Sequence, residues 1–300
     1  MDIQYLKRDD IDKVKWNSCV HYANNGNIFG YMWYLDHVAK EWDALVEGDY
    51  ESVWPLVWRK NMWNGKELYQ PNLMRELGIY SINVLSPKRI RHFLEALPDE
   101  FRSIDIVLNE QNQLPKETGF QVSEQQNFQL WMDRSYEDIS AYYTPALLEA
   151  LDVARGSDLI PLSSLKPERI ADFYLKYSKD RNGKDRNFHT LQRIMYNVLH
   201  RGWGFASGIV DREETLYAAN FFIFSHGKLL SLVPTVSPAG EQLGALEMLT
   251  DLIVRTNAGR PLLLDFNTNG DSSLAEAFGA VSTPYFSIQR KQRKWGLIWG

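Results

Sequence analysis

The chain has 300 residues, 44% of them hydrophobic and 24% charged, and its 33 Lys and Arg against 38 Asp and Glu leave a net charge of −5. That length suits two compact domains of about 150 residues each. The acidic balance argues against a protein that grips DNA or another long polyanion through many phosphates. Cys19 is the single cysteine, which excludes an internal disulfide and a thiolate metal cluster. No apolar run reaches the ~20 residues that span a bilayer, and the charged N-terminus lacks a signal-peptide core. The cytoplasm is the expected location.

In chain order, residues 10–22 and 31–40 read as helices, the latter with Trp33, Tyr34, His37 and Val38 at helical spacing. Two β-type runs, 42–46 and 50–58, flank Glu47-Gly48-Asp49 as a hairpin. Pro55 within the second predicts an edge strand or a bulge. A short strand at 66–69 ends in Gln70-Pro71. A helix follows over 87–97, with Ser86 as N-cap and Pro87 in its first turn. Residues 104–108 and 128–132 read as buried strands.

Residues 135–154 form a helical stretch that Pro145 breaks. Near Ser157 the pattern restarts: a strand at 159–162, a helix over 166–178 with Ser164 as cap, a polar loop at 180–187, and a helix over 190–200. Runs 203–210, 215–225 and 228–237 read as an antiparallel meander, in which Pro234 marks either a bulge or the end of the strand. A helix over 240–256, a strand at 261–266, a helix over 272–278 and a strand at 284–290 complete the chain. The two halves share one order of elements, so the division predicted is residues 1–154 and 155–300.

That order resembles the GNAT (acyl-CoA N-acyltransferase) fold, and two such units in tandem resemble the Fem family of aminoacyltransferases. Leu264-Asp265-Phe266-Asn267-Thr268-Asn269-Gly270, then Ala277-Phe278-Gly279, then Tyr285 are similar to a C-terminal Fem-like pattern. Tyr31 to Asp36, Trp42 and Tyr69-Gln70-Pro71 are similar to short Fem-like proteins. The resemblance implies an α/β protein of two tandem GNAT-like domains, each a mixed, largely antiparallel sheet flanked by helices. It further implies an N-acyltransferase that binds a small-molecule or peptide amine in the groove between its halves. The rival reading is a non-catalytic module of the same fold that binds a peptide or glycan.

By the resemblance, Gly240, Gln242, Gly244 and Ala245 open the helix that would hold the pyrophosphate of an acyl-CoA. The local sequence departs from that motif. Alignment on Gly244 puts the carboxylate of Glu241 where Gln or Arg belongs, and Leu246 where a small residue belongs. Charge repulsion and lost backbone access argue against coenzyme A in its usual mode. The Fem enzymes that use tRNA carry a long helical arm, and no sustained heptad tract exists here to form one. A tRNA donor is therefore not expected.

Transfer of an acyl group to an amine requires a proton acceptor, donors for the oxyanion, and an acid for the leaving group. Asp265, at the end of an apolar strand, either accepts a proton or caps the turn that follows. Asn267 and Asn269 either fix a substrate amide or serve that same turn. By analogy Tyr285 is the acid, although strand tyrosines commonly pack. Trp33, Tyr34, Tyr69 and Gln70 are expected to bind substrate, against a core role for the aromatic rings. Arg290, Lys291, Arg293 and Lys294 form either a solvated strand edge or an anion site. His189 and His200 lack a partner at i+4, so no metal site is predicted. The glycines of 202–208 miss the dinucleotide spacing and enter a strand.

Overall fold

The structure is a computed structural model that describes residues 2–60, 65–178, 184–268 and 270–290. By internal contacts the chain forms two compact units. The N-terminal unit runs to Gln125 and takes in the residues from Pro284 onward; the C-terminal unit is Gln126–Thr283. Each contains a mixed sheet flanked by helices, so the fold class is α/β.

The N-terminal unit contains β1 (Ile3–Leu6), α1 (Lys13–Tyr22), α2 (Met32–Val38), β2 (Trp42–Glu47), β3 (Ser52–Lys60), β4 (Lys66–Tyr69), β5 (Tyr80–Ser81), α3 (Pro87–Glu95) and β6 (Phe101–Val107). β1 to β4 pair antiparallel in succession, and β4 then lies parallel to β6, with Tyr69 opposite Asp105. Its last strand is the end of the final strand among the described residues, where Ser287 faces Val107 antiparallel. The core is aromatic: Trp16, Tyr34, Trp54, Tyr80, Phe93 and Phe101 are fully buried. Both core indoles satisfy their N–H groups, Trp16 on the Gly30 carbonyl at 2.9 Å and Trp54 on the Leu77 carbonyl at 2.9 Å.

β7 (Gln121–Trp131) leads into the C-terminal unit. There follow α4 (Tyr136–Ser140), α5 (Pro145–Arg155), β8 (Ile160–Leu162), α6 (Pro167–Tyr177), α7 (Lys184–His200), β9 (Gly204–Val210), β10 (Leu216–Ser225), β11 (Lys228–Ser231), β12 (Thr235–Val236), α8 (Pro238–Gln242), α9 (Ala245–Asn257), β13 (Leu263–Asp265), α10 (Ser273–Ala277) and β14 (Val281–Arg290). β8 to β11 pair antiparallel, β11 runs parallel to β13, and β13 pairs antiparallel with residues 129–131. The same order therefore recurs in both units: an antiparallel run, one parallel pair, one antiparallel closing strand. Leu130, Phe222, Leu229, Ile253, Leu264 and Phe278 form the main apolar cluster against α9 and α5.

Helix starts follow the capping residues. Ser86, Thr144 and Ser237 each accept a backbone N–H three residues on, and each precedes a proline at the first helical position. The break expected at Pro145 falls between α4 and α5. Four expectations differ in detail. α6 has no side-chain cap, so Ser164 does not play that part, and Pro167 opens the helix instead. α7 starts at Lys184, within the stretch expected to be loop. β1 and β5 are too short for a periodicity signal. Pro55 lies in an unbroken register, opposite Ala44 of β2. Its missing donor is tolerated because β5 and β4 pair only with residues 52–53 and 58–60, so the other side of residues 54–57 has no partner strand among the described residues.

Candidate functional site

In the C-terminal unit the ladder between β10 and its neighbours is interrupted. Phe222 faces Ser231 and Ala219 faces Thr235, so residues 232–234 stand against residues 220 and 221 as a β-bulge. Pro234 brings no donor there. The Leu232 N–H reaches the Phe221 carbonyl at 2.9 Å, and the Val233 N–H donates to Asn220 Oδ1 at 3.1 Å. That same Oδ1 accepts the Phe221 N–H at 2.8 Å, and Asn220 Nδ2 donates to Ser231 Oγ at 2.7 Å. Pairing between β11 and β13 ends at Leu230 and Asp265, so the bulge lies where two parallel strands part.

Asp265 is 1% exposed at that point. Its Oδ1 accepts Asn127 Nδ2 at 3.0 Å and the Asn267 N–H at 2.8 Å. Its Oδ2 accepts Gln129 Nε2 at 3.4 Å and lies 3.8 Å from Lys228 Nζ. Asn127 in turn takes the Thr268 N–H at 3.1 Å. The carboxylate thus caps the 265–268 turn and organises a polar cluster beside a half-buried lysine. Asn267 adopts φ 53°, and its Nδ2 reaches the Leu232 carbonyl at 3.5 Å across the parting strands. Asn269 lies outside the described residues. Chain periodicity could not reveal Asn127, Gln129, Lys228 or Asn220, because strand pairing alone brings them to Asp265 and to the bulge.

The stretch Gly240, Gln242, Gly244 and Ala245 forms the α8–α9 junction. A Cβ on Gly240 would lie 2.4 Å from the Tyr217 carbonyl oxygen, and one on Gly244, at φ 64°, would lie 2.5 Å from the Ala150 carbonyl oxygen. Both glycines therefore admit close backbone packing. The Gly240 N–H is taken by Ser237 Oγ at 3.1 Å. In the first turn of α9, Glu247 is half-buried with Oε2 buried and without a hydrogen-bond partner. Burial, and then the charge of Glu241, raise its pKa. Further along α9, Asp251 Oδ1 accepts the hydroxyls of Tyr136 at 2.7 Å and Tyr143 at 3.1 Å, tying the α4 segment to α9.

In the N-terminal unit β4 and β6 also part, after Tyr69 and Asp105. Gln70 fills the fork: its Oε1 accepts the Val107 N–H at 3.0 Å and its Nε2 donates to the Met74 carbonyl at 2.8 Å. Tyr69 is half-buried beneath Arg59, whose guanidinium lies 4.7 Å from the ring centroid; burial raises its pKa. Tyr34 is fully buried and donates to the Leu73 carbonyl. Trp33 is half-buried, with its ring 5.4 Å from that of Tyr34. Tyr285 is 2% exposed, with the Arg75 guanidinium 5.9 Å from its ring centroid. Arg75 is itself buried and bridges Glu110 at 3.1 Å and Glu76 at 3.6 Å. This ion cluster left no mark in the sequence as a motif.

Arg290 donates to the Phe101 carbonyl at 3.1 Å and stacks 5.2 Å from the Phe120 ring. It lines a cleft of about 430 Å³ together with Arg91, Glu95, Asp99 and Glu117. Lys291, Arg293 and Lys294 lie outside the described residues. Among the described residues no group of His, Cys, Asp and Glu could hold a metal ion, and no helix is long and apolar enough to cross a membrane.

No protein-family model and no curated protein matches the chain. Solved structures do. A crystal structure of FemX superposes with a TM-score of 0.64 at 10% identity, over 95% of this chain and 97% of that one. L-PGS from Bacillus licheniformis gives 0.55 at 11%, over 94% and 92%. A tandem GNAT protein from the clavulanic acid biosynthesis pathway gives 0.51 at 13%, over 96% and 98%. The chain has the fold of these Fem-like and GNAT proteins.

Proposed function

We propose that this protein transfers an acyl or aminoacyl group to the amine of a small molecule or peptide. The observation that carries the reading is the buried carboxylate of Asp265, bound by Asn127 and Asn267 beside Lys228, at the point where β11 and β13 part next to a β-bulge. In such a reaction the amine nitrogen bonds to the acyl carbon, the bond from that carbon to the donor's oxygen or sulfur breaks, and one amine proton leaves. Asp265 is the group assigned to orient the amine or take that proton, with Asn267 and Asn269 on the substrate amide. In the N-terminal unit Tyr285 is the assigned acid, and Trp33, Tyr34, Tyr69 and Gln70 the assigned substrate contacts. The likeness in fold to FemX, L-PGS and a tandem GNAT protein supports the reaction class. The chain is read as a duplication of one fold that works in the cytoplasm.

One observation favours the rival, a non-catalytic module that binds a peptide or glycan. The α8–α9 junction, assigned to a donor pyrophosphate, has glycines packed on carbonyl oxygens and carries the carboxylates of Glu241 and Glu247. The two readings part in one assay. The protein is incubated with acetyl-CoA, longer acyl-CoAs and aminoacylated tRNA over a panel of amines, and product is followed by mass spectrometry. Turnover that falls at least tenfold in Asp265→Asn upholds the transferase. No turnover with any donor, alongside stabilisation by peptides or glycans alone, replaces it with the binding module.

A further inference from the structure

The cleft beside Arg290 is lined by five charged side chains that do not neutralise one another. Glu95, the last residue of α3, stands there with Asp99, Glu117, Arg91 and Arg290. Among the described residues, the side chains of Arg91, Glu95, Asp99 and Glu117 make no ion pair or hydrogen bond. Elsewhere in the same unit opposite charges close on each other, Arg8 on Asp36 at 2.7 Å and Arg89 on Glu47 at 2.9 Å. Unlike charges that share a cleft of about 430 Å³ without touching leave a gap that a ligand of matching charges can bridge. We propose that this cleft binds a small net-cationic zwitterion, a molecule with one carboxylate and two cationic groups, such as an amino acid with a basic side chain. The site is separate from the acyl-transfer machinery and does not rest on that reading. Arg290 bonds to Phe101 at the start of β6, whereas Gln70 holds Val107 at the other end, six residues or about 20 Å along the strand.

The charges set the class of ligand. Three carboxylates against two guanidiniums leave one negative charge to be balanced. The last carbonyls of α3 end beside Glu95 and add to the attraction for a cation. An anion alone would meet three carboxylates, and a simple cation would leave the guanidiniums without a partner. A zwitterion with a second cation serves both. Arg290 is preorganised for the carboxylate: it donates to the Phe101 carbonyl at 3.1 Å and lies 5.2 Å from the Phe120 ring centroid, which leaves the rest of its fork of donors to a ligand. Leu94 and Leu97, both buried, and the half-buried Phe120 give apolar surface on which an aliphatic stem can lie between its charged ends. Exposed ion pairs contribute little singly, so discrimination comes from satisfying charges of both signs at once.

The probe is L-arginine, set against L-citrulline, its uncharged isostere, and agmatine, which lacks the carboxylate. Binding is followed in the full-length protein by the amide resonances of Thr118 and Gly119, which line the cleft. L-Arginine should bind saturably at millimolar concentration or below, and citrulline and agmatine at least tenfold more weakly. Glu95, Asp99 and Glu117 are exposed, so Glu95→Gln, Asp99→Asn and Glu117→Gln together should leave the Tm unchanged and weaken arginine at least tenfold. Arg91→Gln should weaken arginine without weakening agmatine. The proposal falls if the wild type does not bind arginine, if citrulline or agmatine binds as tightly, or if the folded variants bind arginine as the wild type does. It falls too if binding appears only once Lys291→Ser, Arg293→Ser and Lys294→Ser are introduced, since the chain would then be its own occupant. Each of these outcomes leaves the transferase reading untouched, as no acyl donor is used.

Discussion

Asn127 Nδ2 donates to Asp265 Oδ1 at 3.0 Å across 138 residues of sequence, and both side chains are buried. Removing one partner of a buried charged hydrogen bond leaves the other desolvated and unpaired, which costs more than the bond itself contributes. Asp265→Ala should therefore destabilise the protein by about 3 kcal/mol, and Asn127→Ala by about 2 kcal/mol. Because the two share one bond, the double variant should lose clearly less than the sum. Urea denaturation of the three variants measures the coupling; strict additivity would show that the pair does not act as a unit.

Gly240 and Gly244 are expected to behave as packing glycines. Gly244→Ala puts a Cβ at φ 64° and 2.5 Å from the Ala150 carbonyl oxygen, and Gly240→Ala puts one 2.4 Å from that of Tyr217. Each should cost about 2 kcal/mol or more in the absence of any ligand. Thermal unfolding checks this. An unchanged Tm in either variant would mean that the backbone approach is not tight.

Glu247 makes stability depend on pH. Its folded pKa is raised, first by burial and then by Glu241. The folded state thus holds the proton more tightly than the unfolded chain does. Its contribution is full below the unfolded value and is lost as pH rises through the folded one. Glu247→Gln should match the wild type near pH 4 and exceed its Tm by roughly 1–3 °C at pH 8. A gain of equal size at both pH values would refute the assignment to titration.

Cys19 is buried on α1, and burial pushes its thiol up to about 12. The thiolate is the reactive species. Alkylation by iodoacetamide at pH 8 should be slower by about a hundredfold or more in the folded protein than in urea. Equal rates in the two states would show that α1 opens readily.

Much of the fold could be read from local signals. Ser86-Pro87 marks a helix start through its own hydroxyl and ring, and the 203–237 meander shows as apolar runs bounded by turns, whereas Ser237-Pro238 reads as the end of a strand although it caps α8. The short strands β1 and β5 could not, since four and two residues hold too little period. Pro55 was legible in part: a proline forbids a donor on one side of a strand, and residues 54–57 are paired on one side alone among the described residues, so the edge is local to that stretch and no bulge forms. Of the polar cluster at the β11–β13 fork, Asp265 and Asn267 stood out in the sequence, because they share a turn. Asn127, Lys228 and Asn220 reach that place through strand register, and the Arg75–Glu76–Glu110 cluster assembles from two segments beside Tyr285 of a third.

The strand that closes the N-terminal sheet, residues 287–290 against Val107 to Ile104, comes from the end of the chain. Synthesis on the ribosome thus delivers the segments out of order. Every segment of the C-terminal unit has been made once Thr283 is added, whereas β6 must wait for residues 287–290 before its second neighbour exists. The half made first is then the half completed last, and β6 is the edge that a chaperone or a stray strand would meet while it waits.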